Sequence, residues 1–172
     1  MIDKTMADIF RATEENVQDI LRITRLAFTI YKNELHSDSK VKALYETEQN
    51  ILNDIKTQKV YLAKKDNRTL GCIRVKRLSE QLAYIYRFSV DPDEQHAGVG
   101  SDLIEYAIEE CILDNYAAIA LHTNTKYYKL ARYYYGKGFY VHSTTFDKGY
   151  IRALFIKELR DEPIDLSPAF AE

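Results

Sequence analysis

Residues 84–112 read as a strand, a glycine loop and a helix in that order, and this constrains the chain more than any other feature. Tyr84 to Val90 is an apolar and aromatic run. Asp91-Pro92-Asp93-Glu94 places proline at a favoured turn position. Gln95-His96-Ala97-Gly98-Val99-Gly100 follows, and a helix is expected to start near Ser101. Leu103, Ile104, Ala107, Ile108, Cys111 and Ile112 then recur at helical spacing and form one apolar face. A helix N-terminus carries unpaired N–H groups and a partial positive charge. Glycines ahead of it let the backbone come close to a phosphate. The arrangement therefore suits a pyrophosphate ligand. A plain glycine turn joining strand to helix is the alternative.

The flanking segments set the fold class. Ile9 to Ala12 reads as a short strand. Thr13 is a plausible cap for a helix from about Glu14 to Phe28. Residues 31–40 look like a polar loop. A second helix is expected from Val41 to Ile55, with Glu48 as the polar exception on its apolar face. Val60–Ala63, Leu70–Leu78 and Gln81–Val90 read as three antiparallel neighbours joined by short turns. After the central helix come a strand at Ala117–Thr123, a helix at Lys126–Tyr135 stopped by Gly136-Lys137-Gly138, and strands at Phe139–Phe146 and Tyr150–Leu159. The order is β α α β β β α β α β β. A hairpin sheet followed by β-α-β is a mixed sheet with helices on its faces.

The totals limit the partners. The 172 residues suit one domain, expected over residues 1–160, with a loose tail at 161–172. The net charge of -2, with acids and bases mixed, leaves no electrostatic footprint for nucleic acid. No run approaches a membrane span, and the acidic start of the chain does not read as a signal peptide. A cytoplasmic protein is expected. Cys72 and Cys111 read as buried reduced thiols, and no ligand cluster suggests a metal.

Three motif classes compete for the glycine loop. A P-loop needs a lysine after the final glycine, but Ser101 and Asp102 follow Gly100. A dinucleotide fingerprint needs a third glycine, and Leu103 stands there. The third pattern is Gln95-x-x-Gly98-x-Gly100 after Phe88-Ser89-Val90-Asp91-Pro92. It is joined by Tyr133-Tyr134-Tyr135-Gly136-Lys137-Gly138-Phe139 at the end of the next helix. In these motifs the sequence resembles the GNAT superfamily of acetyl-CoA-dependent N-acetyltransferases. The likeness covers nearly the whole chain in element order and residues 84–140 in motif detail.

The resemblance implies an α/β (α+β) fold, with a mixed central sheet of about seven strands flanked by about four helices. It implies acetyl-CoA as cosubstrate, no metal, and direct attack by a primary amine of a small molecule or peptide. Family members are often dimers. The loop Gln95, His96, Ala97, Gly98, Val99, Gly100 and Ser101 would hold the coenzyme pyrophosphate through backbone N–H groups. Phe88, Ser89 and Val90 would pair with the pantetheine arm and the acetyl carbonyl, although their side chains also suit plain core. Asn124 would either bond the pantetheine arm or cap the next helix. Tyr134 matches the family tyrosine that protonates the departing thiolate; the bland alternative is one packed ring among several.

Two departures stand out. Gln81 to Arg87 lacks the glutamate that many family members use as a general base. Glu34, His36, Asp38, His122 or a chain of waters could replace it. Tyr127 and Leu130 occupy the places of the family's Asn-x-x-Ala. A non-catalytic acyl-CoA-binding or regulatory module on the same fold is the alternative function, and the missing acid is its support.

Overall fold

The structure is a computed structural model that describes residues 7–35 and 40–172. Its elements are β1 (Asp8–Arg11), α1 (Val17–Glu34), α2 (Glu48–Thr57), β2 (Lys59–Lys65), β3 (Arg68–Arg77), β4 (Leu82–Val90), α3 (Val99–Leu113), β5 (Ala118–Asn124), α4 (Tyr128–Gly136), β6 (Tyr140–Thr145), β7 (Arg152–Glu158) and the short α5 (Ser167–Phe170). Among the described residues the seven strands form one sheet in the order β1-β2-β3-β4-β5-β7-β6. β4 and β5 are parallel, while β1–β2, β5–β7 and β6–β7 are antiparallel. The mixed α/β architecture is the expected one, with α5 added. No helix among the described residues is long and apolar enough to cross a membrane.

Chain contacts divide the described residues into two compact units. The first runs to Glu34 and adds Val41–Arg74 and Arg87–Ala107. Its apolar core joins Val17, Ile20 and Ile23 of α1 and Ile51 of α2 to Val60, Leu62 and Cys72 of the strands. Thr13 caps the first helical turn reciprocally with Asn16, and its N–H donates to Asn16 Oδ1 at 2.9 Å. The helix continues to Glu34, so the loop expected at residues 31–40 starts later. The expected second helix is broken. Lys42–Tyr45 forms a 3-10 turn, and α2 begins only after Thr47, whose Oγ1 accepts the Asn50 N–H at 3.3 Å. Asp66 and Asn67 both have positive φ, 49° and 62°. They form the two-residue turn that matches the twist of paired strands.

The second unit holds Val75–Tyr86 and Ile108–Glu172. Here Leu82–Tyr84 pair with Ala118–Ala120, and β5 pairs with β7 from Ala118 to Asn124. One face of these strands carries Leu82, Tyr84, Ala118, Ala120, Leu154 and Ile156. The C-terminal segment covers it: Ala169 is buried there, and Ile164 and Leu166 pack against it. Lys76 also pairs with Glu172. The segment expected as a loose tail is therefore packed, because its apolar residues bury surface on the sheet. On α3, Leu103, Ile104, Ala107, Ile108 and Cys111 are buried as expected, but Ile112 is exposed. Both cysteines are buried thiols, as their surroundings in sequence suggest. Burial pushes the Cys72 thiol up to about 11, against the pull of Arg74, so it stays protonated at neutral pH.

Candidate active site

In the first unit, Asp91 fixes the entry to the glycine loop. Its side chain is only 2% exposed. Its N–H donates to the Leu70 carbonyl at 2.7 Å, which ties the end of β4 to β3. One carboxylate oxygen accepts the Asp93 N–H at 3.1 Å and the other accepts Arg68 Nη2 at 2.7 Å. The hydrogen bond to Asp91 raises the Arg68 pKa. The turn at Pro92–Glu94 thus starts from a held carboxylate.

Gln95, His96 and Ala97 are exposed along the loop. The Ala97 N–H donates to the Glu94 carbonyl at 3.0 Å. Gly98 then takes φ 88°, a backbone conformation that disfavours other residues. Its carbonyl accepts the Asp102 N–H at 3.0 Å, which is the first bond of the helical ladder. The helix therefore starts at Val99, two residues before the Ser101 expected from sequence. Gly98 supplies the turn, and Val99 and Gly100 lie in the first helical turn with amides ahead of the ladder. The Val99 side chain is buried, which anchors that turn in the core.

Gly71 explains how close this helix end lies to the strands. A Cβ there would sit 2.6 Å from Leu103 Cδ1, 3.1 Å from the Ser89 carbonyl oxygen and 3.4 Å from Val99 Cγ1. The end of β4 and the start of α3 meet over one missing side chain. Sequence reasoning passed over Gly71 and read Asp91 only as part of the turn and motif, not as an anchor. A lone glycine inside a strand is the signal that could have marked the first.

β4 leaves the extended conformation at Arg87, the first of its residues in this unit. Arg87 has φ 52°, although it lies inside a strand and carries a side chain. Ser89 is buried, and its hydroxyl donates to the Arg87 carbonyl at 3.2 Å. Phe88 and Val90 are half-buried. Arg87 Nε donates to Glu46 Oε1 at 2.7 Å. Arg74, fully buried, donates to both oxygens of Glu46 at 3.1 and 2.9 Å, to Asp54 Oδ2 at 2.8 Å and to Thr24 Oγ1 at 3.3 Å. Burial works against its charge, but Cys72, Glu46 and Asp54 around it keep its pKa above the ordinary arginine value.

The second unit holds Tyr134 and Asn124. Tyr134 is 4% exposed, with ring contacts to Tyr133, Phe139 and Phe155 at 5.6, 5.6 and 5.7 Å between centroids. Tyr135, its neighbour in sequence, is exposed, since successive side chains leave a helix in different directions. Asn124 is buried, and its Oδ1 accepts the Lys126 N–H at 2.9 Å, so this side chain does shape the turn before α4. Of the candidate bases, His36 and Asp38 lie outside the described residues. Glu34 is exposed at the end of α1. His122 Nδ1 lies 2.9 Å from the Tyr84 hydroxyl. Burial first, then the Arg152 charge, push its pKa down to about 4. At neutral pH the ring is neutral but a weak base, far from the range that favours general base catalysis.

Known proteins share this fold. No curated protein sequence matches the chain. The fold is shared with the PaiA N-acetyltransferase of Thermoplasma acidophilum, solved with coenzyme A, at 16% identity and TM-score 0.75 over 88% of this chain and 98% of that one. It is shared with yncA, a putative acetyltransferase of Salmonella typhimurium solved with acetyl-CoA, at 14% identity and TM-score 0.75 over 92% and 97% of the two chains. The ribosomal-protein-S18-alanine N-acetyltransferase of Escherichia coli gives 15% identity and TM-score 0.73 over 94% and 99%. The model described as the acetyltransferase (GNAT) family matches residues 18–139, a span that takes in β4, the glycine loop, α3 and α4. By that match over most of its length, the chain belongs to the GNAT family of acetyltransferases.

Proposed function

We propose that the chain is an N-acetyltransferase that moves the acetyl group of acetyl-CoA to a primary amine by direct attack. The observation that carries this is the glycine loop. Gly98 at φ 88° turns the backbone into α3, so the amides of Val99 and Gly100 precede the first helical bond at a positive helix end. The loop fits a pyrophosphate, and the neighbouring strand end Phe88–Val90 would orient the pantetheine arm and polarise the carbonyl through backbone groups. The coenzyme supplies the thioester. Tyr134 would give a proton to the leaving sulfur, whose free thiol has a pKa of ~8.5, and burial keeps its ring in one place. The acceptor arrives as a small molecule or peptide with a neutral amine. Gln81 to Arg87 carries no acid, and His122 is a weak base.

Calorimetry with acetyl-CoA, paired with CoA release across a panel of amines, tests this. Wild type should bind and turn over. Gly98→Val should weaken binding at least about tenfold, because the left-handed turn excludes a branched residue. Binding with no CoA release on any amine would mark a non-catalytic acyl-CoA module instead. No binding at all would end both readings.

A further inference from the structure

We propose that Glu46 is a positioning residue for acetyl transfer: it clamps Arg87 against Arg74 and so holds the bend of β4 that aims Phe88–Val90. The inference rests on the acetyl-transfer reading above and deepens it. Its starting point is a conformation that needs a cause. A non-glycine residue at φ 52° inside a strand is disfavoured and persists only when its surroundings hold it. Its surroundings are visible. Arg87 Nε bonds Glu46 Oε1 at 2.7 Å. The same carboxylate is gripped by the guanidinium of Arg74, which is fully buried and itself fixed by Asp54 and Thr24. Glu46 is therefore a rigid post set on the buried floor of the first unit, with a side chain 11% exposed.

The residues that follow the bend are the ones assigned to the acetyl end of the coenzyme. Ser89 ties itself back to the Arg87 carbonyl at 3.2 Å, so a change at Arg87 passes directly into Phe88–Val90. The glycine loop is anchored separately, through Asp91 to Arg68 and Leu70. Loss of the clamp should therefore misalign the thioester while leaving the pyrophosphate grip in place. In kinetics that is a fall in kcat at nearly constant KM for acetyl-CoA.

The test is a set of variants of the full chain: Arg87→Ala, Arg87→Gly and Glu46→Gln. Alanine removes the clamp and is disfavoured at φ 52°, whereas glycine removes the clamp but adopts that φ freely. Expected are a fall in kcat of at least about tenfold for Arg87→Ala and Glu46→Gln, with KM for acetyl-CoA moved by less than about threefold. Arg87→Gly should recover much of the lost kcat. Equal loss in the alanine and glycine variants, or wild-type kcat in Glu46→Gln, overturns the proposal. Removing Glu46 also leaves Arg74 with one acid fewer, so the Arg87 pair keeps the test decisive if Glu46→Gln folds poorly. If wild type binds acetyl-CoA but turns over no amine, the acetyl-transfer reading fails by itself. Amide hydrogen exchange at Phe88–Val90 then judges the clamp: faster exchange in Arg87→Ala supports it, and unchanged exchange overturns it.

Discussion

Asp91 and Arg68 meet at 2.7 Å, with the carboxylate buried and half of the arginine side chain in water. The pair links the first residue of β3 to the residue just past β4. The exposed partner limits what the charge contact adds. The larger effect is local, since Asp91 also caps the Pro92–Glu94 turn through the Asp93 N–H.

Asp91→Ala should therefore cost about 1–2 kcal/mol of stability, as loss of a cap does. Asp91→Asn keeps a cap acceptor and should cost less. Urea unfolding reads the difference. Both variants should weaken acetyl-CoA binding if the loop must start from a fixed point, and equal affinity in all three proteins would separate the anchor from the ligand.

Gly71 allows a second test. Gly71→Ala places a methyl 3.1 Å from the Ser89 carbonyl oxygen, where backbone must yield, and 2.6 Å from a leucine methyl that can turn. Overpacking of this kind costs about 1–3 kcal/mol. Gly71→Val should be worse. The shift falls on β4 and the first turn of α3, so acetyl-CoA affinity should drop along with the urea midpoint. A stability loss with unchanged affinity would show that the close approach serves packing alone.

Tyr134→Phe removes only a hydroxyl. The ring contacts to Phe139 and Phe155 survive, so the midpoint of unfolding should move little. If the hydroxyl protonates the leaving thiolate, kcat should fall about 100-fold, the usual scale for a lost acid. The loss should be smaller with thioesters of more acidic thiols, whose departure needs less help. Wild-type kcat in this variant would reduce Tyr134 to a packed ring.

His122 carries a pH dependence of stability. Its folded pKa, about 4, lies below the unfolded value of 6.5. Between these values the unfolded chain binds more protons, so stability is present above pH 6.5 and is lost as pH falls toward about 4. Urea unfolding over that range should show the loss, and His122→Gln should flatten that part of the profile. An identical slope in the variant would exclude His122 as the source.

Much of this molecule was legible in its sequence because the signals are local. The order of strands and helices followed from apolar periodicity, which reports which side of an element meets the core. The family followed from glycines, a proline turn and a tyrosine at fixed spacings along one stretch of chain. Even so, α3 started two residues earlier than expected, because its first turn depends on the φ of Gly98 and not on residue type alone. The break before α2 was missed too. Glu46 serves as a partner of Arg74 and Arg87, which lie 28 and 41 residues away. The helical pattern around it gave no hint of that role.

The division follows the range of the forces. Sequence by itself determined the element order, the family and the glycine turn into α3, since each depends on neighbours within a few residues. Only the tertiary structure decided the clearance over Gly71, the buried anchor at Asp91, the packed C-terminal segment and the bend at Arg87. Each of these is a contact between distant segments, with steric fit or paired charge as its cause, and no local pattern encodes a partner that folding has yet to bring near.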